Sequence, residues 1–531
     1  MIDLLIKNGL IVDGTASPSY RGDVAVSDGK ILEVAPHIDV EAAEVLDAEG
    51  LVVSPAFIDM HSHSDSWFMV DDKCEAKLYQ GVATEIVGNC GSSQFPRNVE
   101  DTTKVNKLRE EGKLSVMGSY QAPDFKKLIT KRRGSQKMST NLIQLVGHNA
   151  IRKGVVGLIK RESGYDEIQL EKYLLTQALD QGCWGMSMGL EYLPGRFAGH
   201  VELVELAKQC YIYGVPITVH MKSESYEVFE SLKEMIDIAR ETHVHMHISH
   251  FKISCKRYWG RVKETYQMIQ DARKEGLNVT CDMYPYNACA SGMSNLIPDW
   301  ILDGGGEAAA KRLENDPKAK AEVMEILNKD FPGYEDGNIY YISSGGKFAP
   351  EYSGRRAGDI AREMGLSNPD GMFAIMLKTR FDDDCIISNM NMDDVMWLLG
   401  KEDITIGSDA SCRPFDPKYS DSGLPHPRTY ATFPRFLRLV RENNLCSLET
   451  AVHRITQMPA SYIGLKDRGT LEAGKIADIT VFNYEGLKDY ATYENPFQKC
   501  DGIEHVIMNG KFALKNGVQT EERLGDYLLR K

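Results

Sequence analysis

The chain has 531 residues, 42% hydrophobic and 26% charged, which is the range of a soluble globular protein long enough to bury one large core and a smaller one. A formal charge of −14 opposes binding to nucleic acid or an anionic membrane, and no basic stripe with interleaved aromatics offsets it, so a small-molecule partner is expected. The opening MIDLLIKNGLIVDG sets Asp3, Lys7 and Asp13 in an apolar stretch too short for a secretory signal, no run of about 18 apolar residues occurs, and the eleven cysteines form no paired framework, so a cytoplasmic location is expected.

In chain order, LLIKNGLIVDG, DVAVSDGKILEVA and VLDAEGLVVSPAFID predict short strands, with Asn8-Gly9, Asp13-Gly14, Asp28-Gly29 and Glu49-Gly50 as turns. The same texture returns in GTLEAGKIADITVFNYEG and HVIMNGKFALKNGV. Residues 1–54 and 466–531 are therefore expected to pair into one small β-sandwich-like domain. Between them, in residues 55–465, lie the apolar runs AFIDMH, ATEIVGNC, NLIQLVGHN, CWGMSMG, PITVHM, HMHISHFK, NVTCDMYPY and DITIGSDAS. Amphipathic segments such as ELVELAKQCYIYG and YQMIQDARKEG separate them, and eight such βα units predict an α/β fold, a (β/α)8 barrel of the TIM type. The long gap before the eighth run holds EAAAKRLENDPKAKAEVMEILNKD, read as an insertion at about 288–345 and a candidate lid.

In such a barrel the chemistry sits where strands end. The runs end in His61-Ser62-His63, Asn89-Cys90, His148-Asn149, His220, His250 with Lys252 two residues on, Tyr284 and Asp409. Residues i and i+2 of a strand share a face, so His61 and His63 can both point into the barrel mouth. Taken singly, each has a plain structural alternative: a satisfied core imidazole for His220 or His250, a small buried hydrophobe for Cys90, a helix N-cap for Asp409. Taken together, His61, His63, Cys90, His220, His250 and Asp409 offer the N, O and S donors that zinc prefers, and Asp409 can serve as ligand and general base. His243, His245 and His247 receive no role.

The segments FIDMHSHSD, GVATEIVGNCG, VGHNAIR, GLEYLPG, VHMKSES, ISHFK, CDMYPY, IGSDAS and HPRTYATFPRFL, with the tail GTLEAGKIADITVF, resemble the amidohydrolase superfamily and, within it, the D-aminoacylases (N-acyl-D-amino-acid deacylases). The resemblance spans almost the whole chain. It implies a zinc-dependent hydrolase that cleaves the linear amide of an N-acyl-D-amino acid, a small-molecule substrate. It further implies that Cys90, His220 and His250 bind the tightly held zinc, with Cys90 replacing the carboxylated lysine of many amidohydrolases. His61, His63 and Asp409 are then ligands of a second, weaker position, and Asp409 is the base. Lys252, Tyr284 and Arg428 are expected at the substrate carboxylate, with Tyr192 and Met293 as lining residues. Two departures stand out. The stretch ASCRPFDPKYSDSGLP before HPR is long for the family, and YPYNACASGMSNLIP carries no arginine, which favours neutral or apolar substrate side chains. The rival readings are a hydrolase of cyclic amides such as hydantoins or dihydropyrimidines, for which the fourth run lacks the bridging lysine, and an inactive scaffold, for which the donor set is too complete.

Overall fold

The structure is a computed structural model that describes residues 2–65, 67, 71–97, 121–133, 138–329, 339–416 and 423–531. Each of the eight apolar runs contains a strand, and all lie in parallel order. We number the barrel strands β1 (Phe57–Asp59), β2 (Val82–Val87), β3 (Asn141–Gln144, continued by Val146–Gly147), β4 (Met186–Gly189), β5 (Ile217–His220), β6 (Met246–Ile248), β7 (Val279–Met283) and β8 (Thr405–Ile406).

Each strand pairs with the next: β1 with β2, β2 with β3, the end of β3 with β4, and so on to β8. The ring closes through a parallel bridge between Ser62 and Ala410, with Asp409 N–H donating to His61 O at 2.7 Å and His63 N–H to Ala410 O at 3.2 Å. Closure thus brings the ends of β1 and β8 together where the predicted ligands sit. Helices such as His200–Tyr213 and Val262–Lys274 cover the outside. Because parallel strands are covered on both faces, Val82–Val87 is buried at every position, including Thr84 and Glu85, whose carboxylate accepts from Ser62 and Thr140. Each fully buried aliphatic side chain there contributes about 1.5–3 kcal/mol.

Both chain ends enter one nine-stranded sheet, joined where Val52–Pro55 pairs antiparallel with Ile479–Phe482. Asp28-Gly29 forms the expected hairpin turn. Asn8-Gly9 does not: it is a bulge inside the ten-residue strand Ile2–Ile11, where the register to Tyr20–Ser27 shifts. Asn8 takes φ 61°, and its N–H and side-chain amide are held by Asp23 and Asp47. Gly9 is needed because a Cβ there falls 2.4 Å from Val53 Cγ2.

The segment expected as an insertion at about 288–345 belongs to a longer excursion between β7 and β8. It carries a four-stranded sheet (Cys289–Ser291, Asp384–Ile387, Tyr340–Ser344, Arg355–Arg356 in spatial order) and the helices Gly306–Asn315, Pro317–Lys329, Ala357–Glu363 and Asn368–Thr379. Its own core contains Ile301, Leu313, Val323 and Ile342. The strand that completes this sheet, Asp384–Ile387, lies far beyond residue 345, so helix periodicity alone does not mark where the excursion ends. Residues 330–338 of the expected insertion, and 417–422 of the long stretch before Arg428, lie outside the described residues. Among the described residues no helix is long and apolar enough to cross a membrane.

Candidate metal centre and active-site cavity

Three of the expected ligands, Cys90, His250 and Asp409, have φ of 51°, 37° and 51°, a left-handed conformation that is uncommon for residues with a Cβ and collects at functional sites. Each follows a strand, and the reversal turns its side chain in over the barrel mouth. The NCG motif shows how such a turn is held. Asn89 donates to Ile86 O and accepts from Thr218 Oγ1, and a Cβ on Gly91 meets Asn149 Oδ1 at 2.2 Å. Asn149 closes the same corner by donating to Gly189 O at 2.8 Å.

The donor atoms converge. Cys90 Sγ lies 3.3 Å from His61 Nε2 and 3.5 Å from His250 Nε2, and His220 Nδ1 lies 2.8 Å from His250 Nε2. One ligating atom each from His61, Cys90, His250 and Asp409 fall within 4.8 Å of one another. His63 Nε2 lies 2.9 Å from Asp409 Oδ1. The outward nitrogens face carboxylates: His220 Nε2 bonds Glu191 at 2.7 Å, His61 Nδ1 bonds Asp282 at 3.4 Å, and His250 Nδ1 lies 2.8 Å from Glu224 and 3.0 Å from Lys252 Nζ. Carboxylates behind imidazoles fix ring orientation and raise ligand basicity in metal sites. Three imidazoles with buffered outer nitrogens, one thiol and one carboxylate fit a borderline-soft divalent cation.

The electrostatics agree. Burial pushes the Cys90 thiol up, but the imidazoles of His61 and His250 outweigh it and hold the thiol well below its usual range. Burial likewise raises Asp409, yet Arg428, His61 and His63 keep its carboxyl well below the carboxylate range. Both groups are anionic at neutral pH, as ligands must be.

These groups open on a cavity of about 500 Å³ lined also by Tyr192, Lys252 and Arg428. Arg428 begins the helix Arg428–Asn443, where its N–H donates to His426 Nδ1 while His426 Nε2 bonds Ala288 O. Its guanidinium lies 4.6 Å above the Tyr284 ring. Lys252 forms an ion pair with Glu224 and stays cationic, because that carboxylate outweighs the effect of burial. Tyr192 packs its ring 4.5 Å from that of His220.

Tyr284 lies behind Arg428 instead of on the cavity wall. Met293, expected as a lining residue, is turned away. It is fully buried in the core of the excursion with Ile297 and Ile301, its N–H held by Asp383, while Ser291, Asn295 and Leu296 face the cavity. Met293 opens a short 3-10 helix, Met293–Leu296, where the alternation that tells inside from outside on a strand no longer holds.

The chain meets known proteins at this point. The amidohydrolase family model matches residues 44–156 and 361–513. Over 529 residues the chain is 30% identical to D-aminoacylase of Alcaligenes xylosoxydans xylosoxydans, covering 99% of this chain and 98% of that protein. This chain belongs to the amidohydrolase family, in its D-aminoacylase branch. It is also 29% identical to the N-acyl-D-glutamate deacylase of the same organism, covering 96% of this chain and 93% of that protein. The crystal structure of N-acyl-D-glutamate deacylase from Bordetella bronchiseptica, solved with zinc and a phosphonate that mimics the tetrahedral intermediate, superposes with a TM-score of 0.82 at 28% identity over 99% of each chain.

As an amidohydrolase the chain carries a thiol at β2 and no lysine in β4, which ends Ser187-Met188-Gly189. Residues that sequence reasoning left without a role support the centre from behind. Glu191, Glu224 and Asp282 back the imidazoles. Below them, fully buried Lys77 binds Asp59 Oδ2 at 2.6 Å, Ser408 Oγ at 2.7 Å and Ala410 O at 2.9 Å, stitching β1 to the β8 loop that bears Asp409. The sequence signal for Glu224 and Asp282 was present, an acid inside VHMKSES and another in the middle of an apolar strand, CDMYPY.

Proposed function

We propose that this protein is a zinc-dependent N-acyl-D-amino-acid deacylase acting on substrates with neutral side chains. The observation that carries the proposal is the convergence of Cys90 Sγ, His220 Nδ1 and His250 Nε2 beside an Asp409 carboxylate, in one cavity with Lys252 and Arg428. Cys90, His220 and His250 hold the tight zinc; His61, His63 and Asp409 form a weaker second position. Zinc there supplies Lewis acidity, polarising the acyl carbonyl and acidifying water.

The protein's residues do the rest. Asp409, ionised and accessible to the cavity, accepts a proton from the attacking water as the carbon–oxygen bond forms. It returns that proton to the amide nitrogen as the carbon–nitrogen bond breaks, so that a carboxylate and a free D-amino acid leave. Arg428 and Lys252 hold the substrate α-carboxylate, Arg428 as a planar fork stacked on Tyr284. Tyr192 covers His220 and borders the reacting amide. Cys289, Ala290, Ser291, Asn295 and Leu296 line the cavity with uncharged groups, which supports a neutral side chain seated against them; Arg97 and Lys153 also line the cavity. All eleven cysteines are free thiols, which supports a reducing compartment such as the cytoplasm.

A screen of N-acetyl-D- and N-acetyl-L-amino acids alongside hydantoin and dihydropyrimidine tests the assignment. Turnover of N-acetyl-D-amino acids with neutral side chains is expected. Turnover of the L enantiomers alone, or of the cyclic amides alone, overturns it.

A further inference from the structure

Strand β6 lies within a histidine-rich stretch, HVHMHISH, of which the metal centre uses only the last. Two of the others form an ordered chain inside the barrel. His245 Nε2 lies 2.8 Å from Thr280 Oγ1, and Thr280 Oγ1 lies 2.8 Å from His247 Nδ1. His247 Nε2 lies 2.8 Å from Asp282 Oδ2, the oxygen that also meets His61 Nδ1 at 3.4 Å. The other Asp282 oxygen accepts the backbone N–H of His250 at 2.9 Å. The register of β6 on β7 sets this up, since His247 and Thr280 are direct partners. His61, His247 and Asp282 are each fully buried.

The direction of the hydrogen bonds to Asp282 follows from donor chemistry. A carboxylate only accepts, so His247 Nε2 and His61 Nδ1 both carry hydrogens. In a neutral His247 ring Nδ1 then accepts, from the Thr280 hydroxyl, whose oxygen accepts in turn from His245 Nε2–H. In the neutral His61 that a metal requires, Nε2 then carries the lone pair, and that nitrogen faces Cys90 Sγ and Asp409. The Asp282 carboxylate selects the His247 tautomer with Nε2–H, and the threonine hydroxyl satisfies the Nδ1 lone pair that this leaves. With the other tautomer, an Nε2 lone pair faces the Asp282 carboxylate.

We propose that Thr280 and His247 are positioning residues that hold the Asp282 carboxylate against His61 Nδ1 and thereby set the affinity of the weaker metal position. Outer partners of this kind are worth about 10- to 100-fold in metal affinity. The inference rests on the zinc assignment made above, and the test separates the two.

Zinc alone is titrated into the full-length apoprotein, with the affinities of the tight and weak equivalents read by dialysis against zinc buffers. Thr280→Val removes the hydroxyl at constant shape, and Thr280→Ser restores it. The expected result is that Thr280→Val weakens the weak equivalent about tenfold or more, leaves the tight one in place, and is rescued by Thr280→Ser. In a second pair, His247→Gln keeps an N–H for Asp282 and is expected to hold the weak equivalent more tightly than His247→Leu. Unchanged weak binding in Thr280→Val, equal loss in Thr280→Ser, or equal affinities for His247→Gln and His247→Leu overturns the proposal. Wild-type protein that takes up no zinc overturns the metal assignment itself, and this inference with it.

Discussion

Arg428 Nη1 lies 2.9 Å from Asp409 Oδ2. The residue proposed to grip the substrate carboxylate therefore also holds the proposed base, and binding of substrate redistributes that one guanidinium between two carboxylates. Arg428→Lys keeps the charge but loses the fork and the stacking on Tyr284. It is expected to raise KM and lower kcat together, reducing kcat/KM by about 10- to 1000-fold. A role in substrate binding alone raises KM and spares kcat. Steady-state kinetics on an N-acetyl-D-amino acid separates these outcomes.

Asp409→Asn keeps the shape of the carboxylate and removes its basicity. Turnover is expected to vanish while zinc at Cys90, His220 and His250 stays bound. Cys90→Ala is expected to lose that zinc as well as activity, since the thiolate is the anionic ligand of the set. Metal content of the purified variants checks both, and full activity in either contradicts the assigned roles.

Ser291 and Asn295 face the cavity as uncharged groups, and Asn295 donates to Ser291 Oγ at 2.6 Å. Asn295→Arg is expected to move preference toward N-acetyl-D-glutamate and N-acetyl-D-aspartate. The shift is measured as the ratio of kcat/KM for N-acetyl-D-glutamate over N-acetyl-D-methionine. An unchanged ratio places the side-chain pocket elsewhere on the wall.

Much of this site was legible in the sequence because each strand buried on both faces reads as an apolar run, and the polar residue that stops the run marks the barrel mouth. His61, Cys90, His220, His250 and Asp409 stand out in this way, and the structure brings them together. Their supports do not, because a buried charge reveals its purpose only through its partner. Asp282 serves His61 across 221 residues, and Lys77 serves Ser408 across 331. The Asn8-Gly9 bulge was missed for a related reason. The dipeptide permits a positive φ, but whether the chain then reverses or continues depends on Asp23 and Asp47, which hold Asn8 in the strand.

Glu171, fully buried and distant in sequence from every proposed ligand, supplies a pH signature of stability. Burial and the neighbouring Glu202 push its carboxyl from the ordinary 4.5 up to about 8. A raised carboxyl favours the protonated form in the folded state. Its contribution is thus fully present below pH 4.5 and lost as pH rises through about 8. Glu171→Gln is expected to match the native protein below that window and to exceed it above, by on the order of a few kcal/mol. Denaturant midpoints at acid and alkaline pH check this, and parallel curves contradict it.

The most direct test of the central claim is reconstitution with the enantiomers in parallel: the protein is stripped of metal with a chelator, zinc is returned stepwise, and hydrolysis of N-acetyl-D-methionine and N-acetyl-L-methionine is followed. The expected result is activity on the D enantiomer alone, lost on stripping and regained with the first equivalent of zinc. Turnover that survives removal of the metal, or that falls on the L enantiomer, contradicts a zinc-dependent D-aminoacylase centred on Cys90, His220, His250 and Asp409.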